Sequence, residues 1–175
     1  MKGKMKLSPT ENGQSMVEFA VSAILIFTLL VGVADFGRAF FTYLTMRDAA
    51  QEGAVFGSIC PLHTAAIESR VRDASERPVD LSDTTHVTVS CIYVYDVNGD
   101  GYIDAADTFP ACGTITPVPG QGIKVRVVYD DFQITTPLLG SILGSQSLTL
   151  RTEVQDTILR IPTIPPPGSC PAMNE

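Results

Sequence analysis

The twelve residues "DVNGDGYIDAAD", 96–107, put an oxygen donor at nearly every place where a hard cation needs one. With Asp96 as position 1, donors fall at 3 (Asn98), 5 (Asp100), 7 (the backbone carbonyl of Tyr102), 9 (Asp104, directly or through water) and 12 (Asp107), and Gly101 stands at 6 for the sharp turn. Four carboxylates in one loop repel one another unless a cation sits among them, and an all-oxygen set selects calcium over zinc. An acidic turn would account for Asn98-Gly99 and Asp100-Gly101, but not for acids at 1, 5, 9 and 12. The spacing therefore predicts a structural calcium site. A single loop with no partner helix to open is not the make-up of a signalling switch.

Cysteine chemistry is the second candidate. Cys60, Cys91, Cys112 and Cys170 are too widely spaced for a paired CxxC zinc site. An even number downstream of a membrane signal predicts disulfides in an oxidising compartment. Cys91 and Cys112 bracket the acidic loop, so a bridge between them would pin its ends, leaving Cys60 for Cys170. The alternative joins Cys60 to Cys91 and Cys112 to Cys170.

Little else invites chemistry. His63 and His86 are far apart and lie in no nucleophile or metal signature; His63 reads as near a helix start and His86 as on a strand face. No triad, phosphate loop or dinucleotide fingerprint is present, so neither an enzyme nor a small-molecule substrate is expected. A net charge of −7 argues against nucleic acid as a partner, since nucleic acid rewards clustered Lys and Arg.

The remaining chemically loaded residue is Glu18, an acid at the edge of the longest apolar run. Residues 19–34 carry no charge, and as a helix they would span roughly 24 Å, against a hydrocarbon core about 30 Å thick. Lys2, Lys4 and Lys6 precede the run, which predicts a cytoplasmic start and an extracytoplasmic remainder. A cleaved secretory signal ending at Gly32-Val33-Ala34 would have no use for Glu18. A plain anchor helix would bear a cost of about 2.5–3.5 kcal/mol for an acid at mid-membrane, and less near the edge. If instead a peptidase cuts after Gly13, Gln14 becomes the N-terminus and Glu18 lies one helical turn on, on the face of the freed amine. Carboxylate and ammonium could then neutralise each other within one subunit or between stacked neighbours.

At this point the residues resemble a family. Gly13 with Glu18 five positions later is similar to the class III signal of type IV pilins, cut by a prepilin peptidase. The stretch 13–57, "GQSMVEFAVSAILIFTLLVGVADFGRAFFTYLTMRDAAQEGAVFG", resembles the N-terminal segment of TadE-like pseudopilins of tight-adherence (Tad, or Flp) pili. Phe19 stands where Flp major pilins usually carry Tyr, which implies a minor component. The resemblance implies Gly13, Gln14, Glu18 and Phe19 as the processing site. It implies the membrane, other pilins and pseudopilins, the Tad assembly machinery and the peptidase as partners. The implied location is the bacterial cytoplasmic membrane, single-pass, with the head outside or in an extracellular filament. A calcium site would then be structural, as in some pseudopilins of type II secretion. A calcium-stabilised adhesion module outside any filament is the alternative.

The elements that position these groups follow from periodicity. Phe36, Phe40, Tyr43, Met46, Ala50 and Ala54 recur every three or four residues and predict that the membrane helix continues as a stalk whose stripe seats the head, with Gly53 and Gly57 as exits. "HTAAIESRVRDASERP" places Ile67, Val71 and Ala74 at helical spacing. Three alternating stretches predict strands: Val87, Val89, Cys91, Tyr93; Ile123, Val125, Val127, Tyr129; and Leu148, Leu150, Val154. One apolar face each means an antiparallel sheet. The apolar "TPLLGSILG" between the last two is read as a loop tucked into the core, a surface for neighbouring subunits being the alternative. The expected plan is α+β and pilin-like: leader 1–13, transmembrane and stalk helix 14–57, head 58–160 with a short second helix, and a Pro-rich tail 161–175.

Overall fold

The computed structural model describes residues 11–101, 103–105, 107–136, 140–141, 144–159 and 170. The elements are helix α1 (Glu11–Ile59), helix α2 (Thr64–Asp73) and strands β1 (Val87–Val94), β2 (Gly122–Gln133) and β3 (Ser147–Thr157). The fold is α+β. The chain divides into two compact units: residues 1–37 with 134–146, and residues 38–133 with 147–175.

In the larger unit the three strands pair antiparallel in the order β1-β2-β3. The register sets Val89 opposite Val127 and Cys91 opposite Val125, then Val125 opposite Val154 and Val127 opposite Thr152. Side chains two apart share a face, so Val87, Tyr93, Ile123, Val125 and Val127 line one buried side. Met46, Ala49, Ala50 and Ala54 of α1 and Ile67 and Val71 of α2 complete that core, with Val79, Leu81 and Ile158. Opposite charges occupy the other face: Arg126 donates to Glu153 directly across β2 and β3, with Lys124 at 3.8 Å from the same carboxylate. A register shift between Tyr129 and Phe132 sets two residues of β2, Asp130 and Asp131, against the single Thr149 of β3, and Phe132 beyond it is buried.

Several expectations need correction here. Gly53 and Gly57 do not end α1, which runs on to Ile59. They thin the helix where it meets the core: a Cβ at Gly53 would come within 2.5 Å of Val71 Cγ2, and one at Gly57 within 2.6 Å of Ile123 Cδ1. Of the predicted stripe only the C-terminal half is buried; Phe36, Phe40 and Tyr43 are exposed, while Ala49 joins Met46, Ala50 and Ala54 inside. Ala74 lies just past the end of α2 and is exposed. Thr152 occupies an inward position of β3 and is buried. His86 precedes β1 in a turn instead of lying on the strand.

Two disulfides fix the larger unit. Cys91 and Cys112 are joined, with Cα atoms 5.3 Å apart, and Cys60 is joined to Cys170 at 5.9 Å. Apart from Cys170, the Pro-rich tail lies outside the described residues, as do Lys2, Lys4 and Lys6 of the leader. Tyr93 completes the junction below α1: its hydroxyl donates to the Pro61 carbonyl at 2.7 Å, both residues being fully buried. Such a pair meets the requirement that a buried carbonyl be satisfied.

Candidate functional site

In the smaller unit α1 is apolar and unburied. Its most apolar 18-residue stretch has a mean hydropathy of 2.4, and none of that stretch is buried. Phe19, Leu25, Phe27 and Leu29 are each about two-thirds exposed or more. A soluble fold does not leave a run of this size facing water. Length and composition therefore suit it to a bilayer. Gly13, Gln14, Glu18 and Phe19 all lie on this helix and all are exposed. Gln14 and Glu18 are one turn apart on the same face.

The first charge after the apolar run behaves differently. Asp35 is 5% exposed, although it sits on a helix whose neighbours Phe36 and Val33 are mostly uncovered. Its carboxylate is satisfied by the segment that links β2 to β3. The Thr136 amide donates to Oδ2 at 2.8 Å and the Thr136 hydroxyl to the same oxygen at 2.7 Å; the Thr135 amide donates to Oδ1 at 3.2 Å. The segment is closed at its base, where the Ile134 amide donates to the Gln146 carbonyl at 2.8 Å. A buried carboxylate without such donors would be very costly. Nothing in the sequence around Asp35 announces this partnership, since Thr135 and Thr136 are a hundred residues away. In the apolar stretch, residues 137–139, Ile142 and Leu143 lie outside the described residues.

The acidic loop is built on the far side of β1. Tyr95 and Thr108 bridge its two ends, and the Cys112 amide donates to the Cys91 carbonyl beside the disulfide. Gly99 and Gly101 take positive φ, +72° and +81°, which only glycine adopts without strain. Asp96 accepts from the amides of Gly99 (2.6 Å) and Gly101 (2.9 Å). Asp107 is 8% exposed and accepts from Val97 (3.0 Å) and Asp104 (2.8 Å). The Asn98 amide group donates to Asp100 at 2.8 Å. Tyr102 lies outside the described residues. Among the described residues no three or more His, Cys, Asp or Glu side chains are gathered in a shape that holds a metal.

The histidines stand elsewhere. His63 caps the start of α2 without a side-chain hydrogen bond. His86 Nδ1 is 2.8 Å from Asp83 Oδ2, and its Nε2 is 3.7 Å from Asp131 Oδ2 in the β2 bulge. The hydrogen bond to Asp83 raises the His86 pKa, with some opposition from burial, and the neighbouring carboxylates act in the same upward direction. A cavity of about 300 Å³ between α2 and β1, lined by Thr64, Ile67, Glu68, Val89 and the Cys91–Cys112 bridge, contains one ionisable group, Glu68.

Comparison with known proteins bears on the apolar helix. Residues 13–55 match the family model described as TadE-like protein. No curated protein and no solved structure matches the chain. The match covers Gly13, Glu18, Asp35 and the part of α1 that enters the core, and over this segment the chain is similar to the TadE-like proteins.

Proposed function

We propose that this protein is a membrane-anchored pseudopilin, a minor structural component in the assembly of a Tad-type pilus used for surface adherence. The observation that carries the reading is a coincidence of position. The family match, 13–55, falls on the helix that the fold leaves uncovered over its apolar run and whose apolar side chains enter the core from Met46 onward. One half of α1 is thus available to lipid or to neighbouring subunits, and the other half is the seat of a disulfide-bonded α+β head.

In this reading the head is extracytoplasmic, where Cys60–Cys170 and Cys91–Cys112 persist in an oxidising environment. A prepilin peptidase cuts after Gly13, and the amine of Gln14 pairs with Glu18 one turn away. Loop 96–107 takes up calcium through Asp96, Asn98, Asp100, Asp104, Asp107 and the Tyr102 carbonyl. Support comes from the donor spacing and from the positive φ of Gly101 at the turn position. Asp96 and Asp107 each accept two backbone amides of the loop, one on each carboxylate oxygen, which leaves a further lone pair on each oxygen for an ion.

The test is the mature N-terminus of protein recovered from membranes. A start at Gln14 supports the pseudopilin. A start at Asp35 would identify an ordinary signal peptide and sink the anchor, and an intact start would leave an uncut anchor outside the filament pathway.

A further inference from the structure

The two disulfides differ in what surrounds them. Cys60 is fully buried and Cys170 is 6% exposed. Cys91 and Cys112 are both half-buried, and together they line the cavity of about 300 Å³ between α2 and β1. Two other residues that line it, Ala65 and Glu68, are exposed, so the cavity opens to solvent. Thiol–disulfide exchange needs a thiolate to reach one of the two sulfurs, and access therefore decides which bridge reacts. A thiol entering the cavity meets Cys91–Cys112. Cys60–Cys170 offers no such approach while the fold is intact.

The fold also keeps the two half-cystines together without the bond between them. The Cys112 amide donates to the Cys91 carbonyl at 3.0 Å, the Tyr93 amide to the Pro110 carbonyl at 2.8 Å and the Tyr95 amide to the Thr108 carbonyl at 3.0 Å. These backbone bonds hold segment 108–112 along β1, so the sulfurs stay neighbours when the bridge opens and can rejoin without a search through the unfolded chain. From the open cavity and this backbone frame we infer that Cys91–Cys112 is a thiol–disulfide exchange site for a dithiol partner, reached through the cavity, whereas Cys60–Cys170 is a closed structural bridge. One thiolate of the partner attacks a sulfur of the bridge; the Cys91–Cys112 bond breaks, a mixed disulfide forms, and the displaced sulfur takes up a proton. The partner's second thiolate then attacks the partner's own sulfur in the mixed disulfide and releases the other cysteine as a thiol. Two electrons pass from dithiol to protein, and the partner leaves as a disulfide. The reverse sequence closes the bridge.

The test uses the full-length protein in detergent, without denaturant, and dithiothreitol as the dithiol. Samples are blocked with iodoacetamide over time and each cysteine is scored by peptide mass spectrometry. Cys91 and Cys112 are expected to be alkylated together, at least about tenfold faster than Cys60 and Cys170, while the near-ultraviolet circular dichroism of the folded protein is retained. Replacing dithiothreitol by oxidised glutathione should restore the bridge. Ala65→Trp, which puts a bulky side chain into the cavity from an exposed helix position, should slow the opening of Cys91–Cys112 several-fold and leave Cys60–Cys170 unchanged; Glu68→Trp is a second block of the same cavity. Equal rates at the two bridges, or opening of Cys91–Cys112 only as fast as the whole protein unfolds, would overturn the exchange site. Folded Ala65→Trp and Glu68→Trp variants that both open at the parent's rate would overturn the route through the cavity.

Discussion

Gly53 of α1 lies so close to Val71 of α2 that a single added carbon would meet Val71 Cγ2 at 2.5 Å and Val125 Cγ1 at 3.5 Å. The long helix and the short one are therefore packed with no room for a side chain at this crossing. Val71 is fully buried and β-branched, so it cannot swing aside. Ala in place of Gly would gain up to about 1 kcal/mol of helix propensity, but overpacking a core costs about 1–3 kcal/mol. Gly53→Ala is expected to lower stability by about 1–2 kcal/mol. Gly57→Ala should cost less, because its closest neighbour, Ile123 Cδ1, is the far end of a more flexible chain. Gly37, with nothing within 4 Å, is the control and should gain on substitution. Chemical denaturation of the three variants in detergent gives the order.

The disulfides differ in the length of chain they close, and this ranks their effect. Cys91–Cys112 spans 21 residues and Cys60–Cys170 spans 110. On the chain-entropy model the first is worth about 3 kcal/mol and the second about 5 kcal/mol. A Cys60→Ala/Cys170→Ala double variant should therefore fall further in denaturation midpoint than Cys91→Ala/Cys112→Ala. Equal losses would show that the long loop is already constrained by other contacts, such as the Leu159 amide donating to the Ser58 carbonyl at 2.9 Å.

These features differ in how far the sequence announces them. Strand alternation reports which side chains share a face, and Val87, Ile123, Val125 and Val127 lie inside as their period requires. The same reasoning fails at Thr152, because a hydroxyl reads as polar although its place in the period is inward. Helical periodicity misleads between Phe36 and Tyr43. There the aromatic side chains of α1 are exposed, and a packing stripe and an outward-facing one have the same spacing. Gly53 and Gly57 read as helix exits because close approach and chain reversal both call for the smallest residue. Asp35 carries no local sign of its role, since its donors come from Thr135 and Thr136, which only the folded chain brings near.

His86 joins the turn before β1 to the bulge in β2, through Asp83 and Asp131. Its pKa is raised above 6.5, first by the hydrogen bond to Asp83, and that of Asp83 is lowered below 3.8, first by the same bond. A raised histidine contributes fully below the unfolded value and loses its contribution as pH climbs through the folded value. The depressed aspartate contributes above 3.8 and loses its share as pH falls through its folded value. The pair is therefore most effective between about pH 4 and 6.5. Both groups are partly exposed, so the effect is small. Comparing the melting temperature of His86→Gln with that of the parent across pH should show a deficit near pH 5.5 that closes above neutrality; a deficit independent of pH would assign His86 a packing role only.

Calcium is the remaining prediction, and the structure sharpens how it should act. Asp96 and Asp107 stand at opposite ends of loop 96–107 and each now ties down two amides of that loop. An ion coordinated by both carboxylates would relieve the repulsion among Asp96, Asp100, Asp104 and Asp107. Anything that binds the folded state alone raises its stability by mass action. The protein is expected to melt at a higher temperature in calcium than in chelator, with Asp96→Ala abolishing the difference. Asp107→Ala should lower melting even in chelator, because the Val97 and Asp104 amides would lose their acceptor at a nearly buried site. Magnesium should substitute poorly, since it demands a tighter octahedron than a twelve-residue loop of this kind offers. If chelator leaves melting unchanged and calorimetry detects no binding, loop 96–107 is a turn held by Asp96 and Asp107 through hydrogen bonds alone.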